Sequence, residues 1–557
     1  MSQTKQVVKV SSESKLADLL QSYLASDQDL VFLDEDTVIT EPHLELLTDF
    51  PRGASAALVG KQEDFADTRV QKNSVVSASS ESHIVTSPNR VFAGALYLSQ
   101  QQRPEIEKAV AEAIASKAPG HALDLALVAL VRATIRVDAV ELLEAPFSRS
   151  SDPDEKGKIS KQIQKLSIPR LRLKLANRAN DGFFSVYVLR RFSKILTWVA
   201  VKIGATPNQV TIASFAIGLY SAFLFAQGDF WSIFLGAILL QVSIIVDCVD
   251  GELARYTRKF SELGAWLDAI TDRVKEYAVF LGLAYGAYVQ NGQNLWVLAA
   301  LLMTLQTFRH LSDYNFSQVV KARDEDVVPV PVDFMAKWDG LEPEEAKPET
   351  GLAANYYFKR AKYWAGKIIT FPIGERWLAI SLTAVIGGAL FTFTAMPILG
   401  LISMAWVYRV RIGKTLQMAK SRIKSQVIVR QLDLGWAQSS VSKRFDWLEP
   451  SILRAIELGS LILLFAQSGK LNDESGVAAF VILFSIAFHH YDNLYRAMQG
   501  EQKPKWLSLL GLSLPGRLLL LVIVDLLGIG LEPVAGYFLL LFLVISSIQW
   551  VIHRKMS

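Results

Sequence analysis

The sequence predicts an α-helical integral membrane protein with a soluble α/β domain at its N-terminus. The 557 residues are 51% hydrophobic yet include 58 Lys+Arg and 54 Asp+Glu, so apolar and charged residues must be segregated along the chain. Apolar stretches long enough to cross a bilayer begin only after Thr206. Before that residue, short apolar runs alternate with amphipathic segments, a pattern typical of strands that alternate with helices.

Composition also excludes several classes of protein. The single cysteine, Cys248, excludes an intrachain disulfide and any site built from several cysteines. Seven histidines leave little scope for a histidine-rich metal centre, and a dispersed net charge of +4 does not indicate nucleic acid as a partner. The first residues contain no apolar core of a cleaved signal peptide. We therefore expect the N-terminus to stay in the cytosol.

Residues 1–150 are predicted to form the soluble α/β domain. Three apolar runs are strand candidates and two further segments have helical spacing: Asp29–Ile39, Ala56–Gly60, Val91–Ser99, 104–118 and 121–133. Their alternation implies a parallel or mixed sheet covered by helices. Residues 151–205 are predicted to be a polar linker, from Ser148 to Lys165, and then a basic amphipathic segment suited to an anionic leaflet.

About ten membrane-spanning helices are predicted after Thr206. The candidates are 209–227, 232–250, 264–288, 294–313, 375–394, 396–410, 451–467, 476–490, 516–531 and 533–552. The loops predicted to lie outside, including a turn at Met396–Pro397, carry Lys470 as their one basic residue, whereas the other loops carry many. Both termini of this multi-pass protein are therefore predicted to face the cytosol of the cell membrane.

The membrane part is predicted to contain two domains. The first is a six-helix core at 206–413, interrupted by a cytosolic loop at 314–374. The second, at 414–557, adds about four helices whose role the sequence does not indicate. Within the loop, the acidic stretch Asp324–Gly351 is predicted to be a solvated connector, with a cover over the active-site mouth as the alternative.

Four aspartates lie where the second predicted span ends and the third begins. They share one face of each helix with small residues and one arginine. These residues are Asp247, Asp250, Gly251, Ala254 and Arg255, followed by Gly264, Asp268 and Asp272. Carboxylates so close together repel one another unless cations neutralise them. Oxygen ligands suit Mg²⁺, Mn²⁺ or Ca²⁺, and Arg255 adds a planar donor for phosphate, so the residues indicate a metal-bound diphosphate.

The same residues resemble the signature of the CDP-alcohol phosphotransferase (CDP-alcohol phosphatidyltransferase) family. The spacing D-x2-D-G-x2-A-R-x8-G-x3-D-x3-D is filled at every fixed position. The resemblance covers about residues 170–412 and includes the segment TPNQVT before the first span. It implies a six-helix, homodimeric enzyme of phospholipid synthesis that depends on Mg²⁺ or Mn²⁺. Such an enzyme transfers a phosphoryl-alcohol group from a CDP-alcohol, such as CDP-diacylglycerol or a CDP-polyol, to an acceptor alcohol and releases CMP.

The resemblance also implies a role for each residue. The predicted metal ligands are Asp247, Asp250, Asp268 and Asp272. Asp272 would in addition activate the acceptor hydroxyl, because a nearby carboxylate can take the proton of the attacking alcohol while metal ions bridge the diphosphate. The residues predicted to line the CDP site are Gly251, Ala254, Arg255 and Gly264. A buried ion cluster without catalytic function is the alternative for the aspartates.

The acceptor is predicted from its need for cations. The segment before the first span and DGELAR look most like family members that use inositol phosphate or another polyol phosphate. Arg273, Lys275 and Arg376 are the candidates for binding the acceptor phosphate. Arg309 is a further candidate, for which snorkelling to lipid headgroups is the favoured interpretation, whereas the two interpretations are balanced for Arg376.

The N-terminal domain is predicted to be non-catalytic. Asp34 and Asp36 follow a strand and resemble the metal-holding turn of nucleotidyltransferases. No glycine-rich, phosphate-binding loop precedes Leu30, although that chemistry needs one. The domain is therefore predicted to be a relic, a regulator or a dimerisation module.

Charged residues also interrupt the C-terminal spans. Arg454 and Glu457 are expected to pair, and Asp525 lies in an apolar span. The cluster His489–Arg496 is expected to anchor its helix at the membrane interface. A metal site made of His489, His490 and Asp492 is not expected, because adjacent histidines on a helix point about 100° apart.

Two other classes of function stay open at this point. The chain could be a non-catalytic membrane protein that binds nucleotide or scaffolds a lipid pathway. It could also be a transporter, but its aspartates lie at helix ends beside a phosphate-suited arginine instead of at mid-membrane. For the enzyme, the expected partners are a CDP-alcohol, an alcohol or polyol-phosphate acceptor and membrane lipids.

Overall fold

The computed structural model describes most of the chain. The described residues are 7–48, 54–62, 65–71, 73–85, 87–143, 145–177, 181–325, 353–417, 428, 431–433, 445–472 and 474–556. Among them the chain divides after Lys174 into an N-terminal unit and a helical unit. The predicted connector Asp324–Gly351 lies, beyond Glu325, outside the described residues.

The N-terminal unit is built on a seven-stranded mixed sheet. The strands are β1 (Val7–Val10), β2 (Leu30–Asp34), β4 (Ser55–Gly60), β5 (Thr68–Gln71), β6 (Ser74–Ala78), β7 (Val91–Leu98) and β8 (Val137–Glu141), in the order β1-β2-β7-β4-β8-β6-β5, and β3 (Thr37–Val38) pairs separately with β9 (Ser148–Arg149). Alternate residues of β2 enter two different cores: Phe32 packs in one and Val31 in the other. The predicted α/β domain is confirmed.

Helices cover this sheet and continue beyond it. They are α1 (Leu16–Leu24), α2 (Glu41–Thr48), α3 (Arg103–Ser116), α4 (Ala122–Arg132), α5 (Pro153–Gln164) and α6 (Ile168–Ala176). The segment predicted as a polar linker contains α5, because the Asp152 side chain accepts from the backbone of Asp154 and Pro153 opens the helix. Its polarity reflects an exposed helix with no buried residue along its length.

The second unit is helical and contains the membrane spans. Its helices are α7 (Arg190–Lys202), α8 (Pro207–Gln227), α9 (Phe230–Thr257), α10 (Glu262–Asn291), α11 (Trp296–Glu325), α12 (Ala353–Ile369), α13 (Ile373–Gln417), α14 (Glu449–Gln467), α15 (Ser475–Met498), α16 (Lys505–Leu510), α17 (Leu514–Leu526), α18 (Glu532–Phe538) and α19 (Ser546–Met556). Among its described residues, six stretches are long and apolar enough to cross a bilayer. The chain is thus an α-helical integral membrane protein, as predicted.

The fifth and sixth predicted spans form a hairpin inside α13. Ser403 donates a hydrogen bond to the carbonyl of Thr370 over 2.9 Å, although 33 residues of straight helix would separate them by about 50 Å. The helical backbone breaks at Gly388, where φ is 68°, and the two arms lie antiparallel. The predicted turn at Met396–Pro397 is wrong: Pro397 lies within the second arm, and the reversal needs a backbone conformation that only glycine adopts readily.

Two further segments differ from the sequence prediction. α11 continues to Glu325, so the first residues of the predicted loop 314–374 are helical, and α12 occupies Ala353–Ile369 within it. α15 lies in the interior of the helical unit, with nearly all of its residues buried. The C-terminal helices therefore pack around α15.

Candidate active site

Three aspartates meet where α9 and α10 face each other. α9 carries Asp247 and Asp250 toward its end, and α10 carries Asp268 near its start. A short turn reverses the chain, and the Ser261 side chain then accepts a hydrogen bond from the backbone of Gly264 to start α10. One carboxylate oxygen of each aspartate lies within 4.8 Å of the other two. The structure thus brings three of the four predicted carboxylates into one group.

Hydroxyl groups of α8 orient two of these carboxylates. Thr211 Oγ1 donates to Asp250 Oδ2 over 2.6 Å, and Ser214 Oγ donates to Asp247 Oδ1 over 3.0 Å. The two hydroxyls share a face of α8 because they are three residues apart. Sequence reasoning missed them, although a row of small and hydroxyl residues, continued by Gly218, stands out on an otherwise apolar helix. Such hydrogen bonds restrict the rotation of a ligand carboxylate.

The ammonium group of Lys275 lies between two aspartates. Nζ is 2.6 Å from Asp247 Oδ1, 3.0 Å from Asp272 Oδ1 and 2.9 Å from Ser214 Oγ. The side chain passes α8 at Gly218, where a Cβ would lie 2.6 Å from Lys275 Cδ. Lys275, predicted as a ligand of the acceptor phosphate, is therefore paired with the aspartates.

Asp272 lies beside the group of three carboxylates. Its Oδ1 contacts Lys275, and its Oδ2 is 3.8 Å from Arg273 Nη2. It follows Asp268 by one turn of α10 and so projects from the same face. Its roles as metal ligand and as proton acceptor stay predictions.

The residues predicted to line the CDP site lie on α9 and at the start of α10, and they are Gly251, Ala254, Arg255 and Gly264. A Cβ at Gly251 would lie 3.2 Å from Arg255 Nη1. Arg255 Nε donates to the carbonyl of Ala176 at the end of α6. A Cβ at Gly264 would lie 2.9 Å from Asn208 Oδ1 at the start of α8. Both glycines therefore remove bulk where polar groups approach, and contact with CDP stays a prediction.

A buried cluster of arginines extends from Arg273. Arg273 Nη1 lies 3.2 Å from Glu276 Oε2, and Arg376 Nε lies 2.5 Å from Glu276 Oε1. Arg309 instead donates to Ser403 Oγ over 2.9 Å and to other neutral groups. All three guanidinium groups are buried in protein, so Arg309 does not snorkel to headgroups as the sequence favoured. Glu276 thus pairs with two of the arginines, and the third, Arg309, has neutral hydrogen-bond partners.

Glu252 attaches α9 to the amphipathic helix α7. Its carboxylate accepts hydrogen bonds from Arg190, Ser193 and Thr197 at 2.8, 2.7 and 2.6 Å. The polar face of α7 therefore points inward, and apolar side chains such as Trp198 are exposed, as expected of a helix at the membrane surface. Sequence reasoning missed Glu252, although a further acidic residue beside Asp247 and Asp250 at the end of the second predicted span was a signal.

The donor set fits a divalent cation. Among the described residues, Lys275 contacts Asp247 and Asp272, and Arg273 lies 3.8 Å from Asp272, so four carboxylates meet two cations and negative charge is in excess. Oxygen ligands alone suit Mg²⁺ or Mn²⁺ better than softer metals. Asp247, Asp250 and Asp268 are the residues that could hold the ion.

A second polar cluster lies within the C-terminal helices. Ligand atoms of Asp433, His489 and His490 lie within 4.8 Å of one another, whereas Asp492 is not in this group. Arg517 Nη1 is 2.9 Å from Asp433 Oδ2, and Lys503 Nζ is 2.9 Å from His489 Nδ1. These two cations already compensate the cluster and oppose a metal ion.

Two predictions about charged residues of the C-terminal helices can be compared with the structure: the anchoring prediction is wrong and the predicted ion pair is confirmed. The residues His489, Asp492 and Arg496 are at most 2% exposed, so they are internal and do not anchor α15 at a lipid interface. Polar partners from neighbouring helices offset the cost of burying them. Arg454 and Glu457 pair as predicted, at 3.4 Å.

In the N-terminal unit, cations of the chain itself occupy the predicted carboxylate turn. Asp34 Oδ2 lies 2.6 Å from Arg149 Nε, and Asp36 Oδ1 lies 2.5 Å from Lys156 Nζ. The hydrogen bond from Lys156 holds the pKa of Asp36 below its ordinary value. Both carboxylates are thus neutralised without a metal.

Two family profiles match the chain. Residues 204–336 match CDP-alcohol phosphatidyltransferase, and residues 377–555 match a family of unknown function (DUF5941). The first match contains all four aspartates and the residues predicted to bind CDP. The second covers α13 from near its start and the helices that follow.

Curated relatives are similar over about a fifth of the chain's length. A bifunctional IPC transferase and DIPP synthase of Aquifex aeolicus is 37% identical over 122 residues, 22% of this chain and 27% of the relative. An archaetidylinositol phosphate synthase of Pyrococcus horikoshii is 37% identical over 103 residues, 18% of this chain and 50% of the relative. A phosphatidylinositol phosphate synthase of Mycolicibacterium smegmatis is 32% identical over 135 residues, which are 23% of this chain and 60% of the relative. The chain thus matches between about a quarter and three fifths of each relative.

Proposed function

We propose a function from the premise that residues 204–336 are a CDP-alcohol phosphatidyltransferase domain. The protein transfers a phosphoryl-alcohol group from a CDP-alcohol to an acceptor alcohol at the cytosolic leaflet, and CMP leaves. The observation that carries this proposal is the group formed by Asp247, Asp250 and Asp268, whose carboxylate oxygens lie within 4.8 Å of one another. Excess negative charge next to a membrane span is costly, and it suits a site that binds a diphosphate through divalent cations.

Each residue of the candidate site has a separate role in the proposed transfer. A bound Mg²⁺ or Mn²⁺ would supply positive charge to the diphosphate and to the departing CMP. Thr211 and Ser214 hold two of the carboxylates in fixed orientations. Asp272, one turn from Asp268, accepts the proton of the acceptor hydroxyl. The acceptor oxygen then bonds to the phosphorus of the phosphoryl-alcohol group, and the P–O bond to CMP breaks with its electron pair staying on CMP.

The acceptor that we propose carries a phosphate of its own. Three guanidinium groups are buried here: Arg273 and Arg376 share Glu276, Arg273 also lies 3.8 Å from Asp272, and Arg309 donates to neutral groups such as Ser403 Oγ. Arg273 Nε has no hydrogen-bond partner among the described residues. An uncompensated, buried positive charge favours an anion, and arginine suits phosphate. The relatives named for inositol phosphate lipids agree with a polyol phosphate as acceptor.

Release of CMP by the purified protein tests this function. The full chain is incubated with Mg²⁺, radiolabelled CDP-diacylglycerol or CDP-inositol, and inositol phosphate, glycerol phosphate or unphosphorylated inositol. We expect CMP only with a phosphorylated acceptor, together with a phosphorylated lipid when CDP-diacylglycerol is the donor or a soluble phosphodiester when CDP-inositol is. Asp268→Ala should abolish both while the protein stays folded in detergent, because one of three ligand carboxylates is lost. Full activity in the Asp268→Ala variant would contradict the proposed function.

Asp525→Ala is the matched control. Asp525 is also an aspartate of a predicted span, but it pairs with Lys470 and lies in the C-terminal helices. We expect this variant to release CMP at the wild-type rate. If the wild type binds CDP-alcohols and Mg²⁺ but never releases CMP, whichever acceptor is supplied, the non-catalytic scaffold is the better description.

A further inference from the structure

Helix α10 has two polar faces with different neighbours. Gly264, Asp268, Asp272 and Lys275 follow helical spacing and face α8 and α9. Trp266, Arg273 and Tyr277 follow the same spacing about half a turn away. Two of these three, Trp266 and Tyr277, donate or accept hydrogen bonds with α15, which belongs to the C-terminal helices. The carboxylate face of α10 is thus backed by a helix outside the family domain.

The first connection is a buried hydrogen bond to Asp492. Trp266, which precedes Asp268 by two residues, donates from Nε1 to Asp492 Oδ1 over 3.1 Å. Asp492 also accepts from Arg496 Nε at 2.9 Å and Ser546 Oγ at 2.6 Å. Lys503 Nζ lies 2.9 Å from its other oxygen. With Asp492 held by three groups of the C-terminal helices, the position of Trp266 is determined by those helices.

The second connection lies at Tyr491, the residue before Asp492. Its hydroxyl is 3.0 Å from the Tyr277 hydroxyl and 3.1 Å from His310 Nδ1. His310 Nδ1 is in turn 2.7 Å from Arg273 Nη1. All four side chains are buried, so water does not compete for these contacts. The two connections hold α10 at different heights along its axis.

We propose that the C-terminal helices brace α10 and thereby position its metal-binding carboxylates, with Asp492 as the positioning residue. Two polar connections at different heights restrict both the rotation and the tilt of α10. Rotation of α10 would move Asp268 away from the two aspartates of α9, because they lie on different helices. This inference rests on the proposed function, and it assigns a role to the helices that match a family of unknown function.

The metal dependence of CMP release tests the brace. Asp492→Asn and Trp266→Phe each weaken the hydrogen bond while keeping the shape of the side chain. In the full-length protein, we expect the dissociation constant for Mn²⁺, measured by electron paramagnetic resonance, and the Mn²⁺ concentration for half-maximal CMP release each to rise about tenfold in both variants, as for lost supports of metal ligands. Activity at saturating Mn²⁺ should return to near the wild-type value. The double variant should show no further shift, because both changes remove one interaction.

Glu457→Gln is the matched control for loss of a buried carboxylate. Glu457 is as buried as Asp492 and binds Arg517 and His490, which also belong to the C-terminal helices. It should lower the melting temperature without changing the Mn²⁺ dependence. An equal shift in this control, or an unchanged Mn²⁺ dependence in Asp492→Asn and Trp266→Phe, would overturn the brace. Absence of CMP release from the wild type would instead refute the proposed function.

Discussion

At the scale of single residues, the candidate site depends on which groups fill the space between α8, α9 and α10. Lys275 reaches Asp247 because Gly218 leaves room for its aliphatic chain. The ammonium group offsets part of the repulsion among the aspartates, so the site stays folded before any cation binds. Gly218, which lies within a helix and not in a turn, thus contributes to the site by leaving space for Lys275.

Gly218→Ala is predicted to impair activity without unfolding the protein. Its Cβ would lie 2.6 Å from Cδ of Lys275, which must move away from Asp247. We expect about a tenfold loss of CMP release, since a displacement of this size disturbs a positioned site. Gly459→Ala is the control, because nothing lies within 4 Å of a Cβ there. Equal activity in the two variants would contradict the role of Gly218.

At the scale of elements, the α13 hairpin brings distant residues together. Its first arm carries Arg376 to Glu276, and its second arm carries Ser403 to Arg309. Both contacts depend on the reversal at Gly388, because a straight α13 would place one arm far from the arginine cluster. The hairpin therefore assembles the site proposed for the acceptor phosphate.

Gly388→Ala is predicted to destabilise the protein. Nothing lies within 4 Å of a Cβ at this residue, and φ is 68°, so the cost comes from backbone conformation alone. We expect a loss of about 1–3 kcal/mol in the free energy of unfolding. Thermal unfolding in detergent measures it. A melting temperature equal to that of wild type would show that the backbone does not reverse at Gly388.

At the scale of the whole molecule, charge predicts the orientation in the membrane. α14 and α15 are joined through residues 468–474, which include Lys470, whereas the other end of α15 leads to Lys503 and Lys505. The excess of Lys and Arg at that end favours the cytosol. The candidate site lies at the ends of helices that carry basic residues such as Arg255. We therefore expect both substrates to enter the site from the cytosolic side.

Single introduced cysteines can test this orientation in intact cells. In a Cys248→Ser background, we expect a membrane-impermeant maleimide to label Ser468→Cys from outside. Gln502→Cys should be labelled only after the cells are permeabilised. Both positions are exposed, so access to the reagent decides the result. The reverse pattern would invert the predicted topology.

The sequence by itself determined the membrane fold, the α/β domain and the residues of the candidate site. Spans are recognisable because a bilayer sets their length and polarity, and Asp247 to Asp272 are recognisable because helical periodicity places them on shared faces. Periodicity also predicted the pair of Arg454 and Glu457, which are neighbours on one helix. All of these are local properties of the chain.

Only the tertiary structure decided which groups meet. It placed Asp272 beside the three-carboxylate group, paired Lys275 with Asp247, and buried Arg309 among neutral partners. It also moved the α13 reversal to Gly388 and placed α15 behind α10. The physical reason is that periodicity defines the polar face of a helix but not the helix it packs against, which depends on the packing of side chains far apart in sequence.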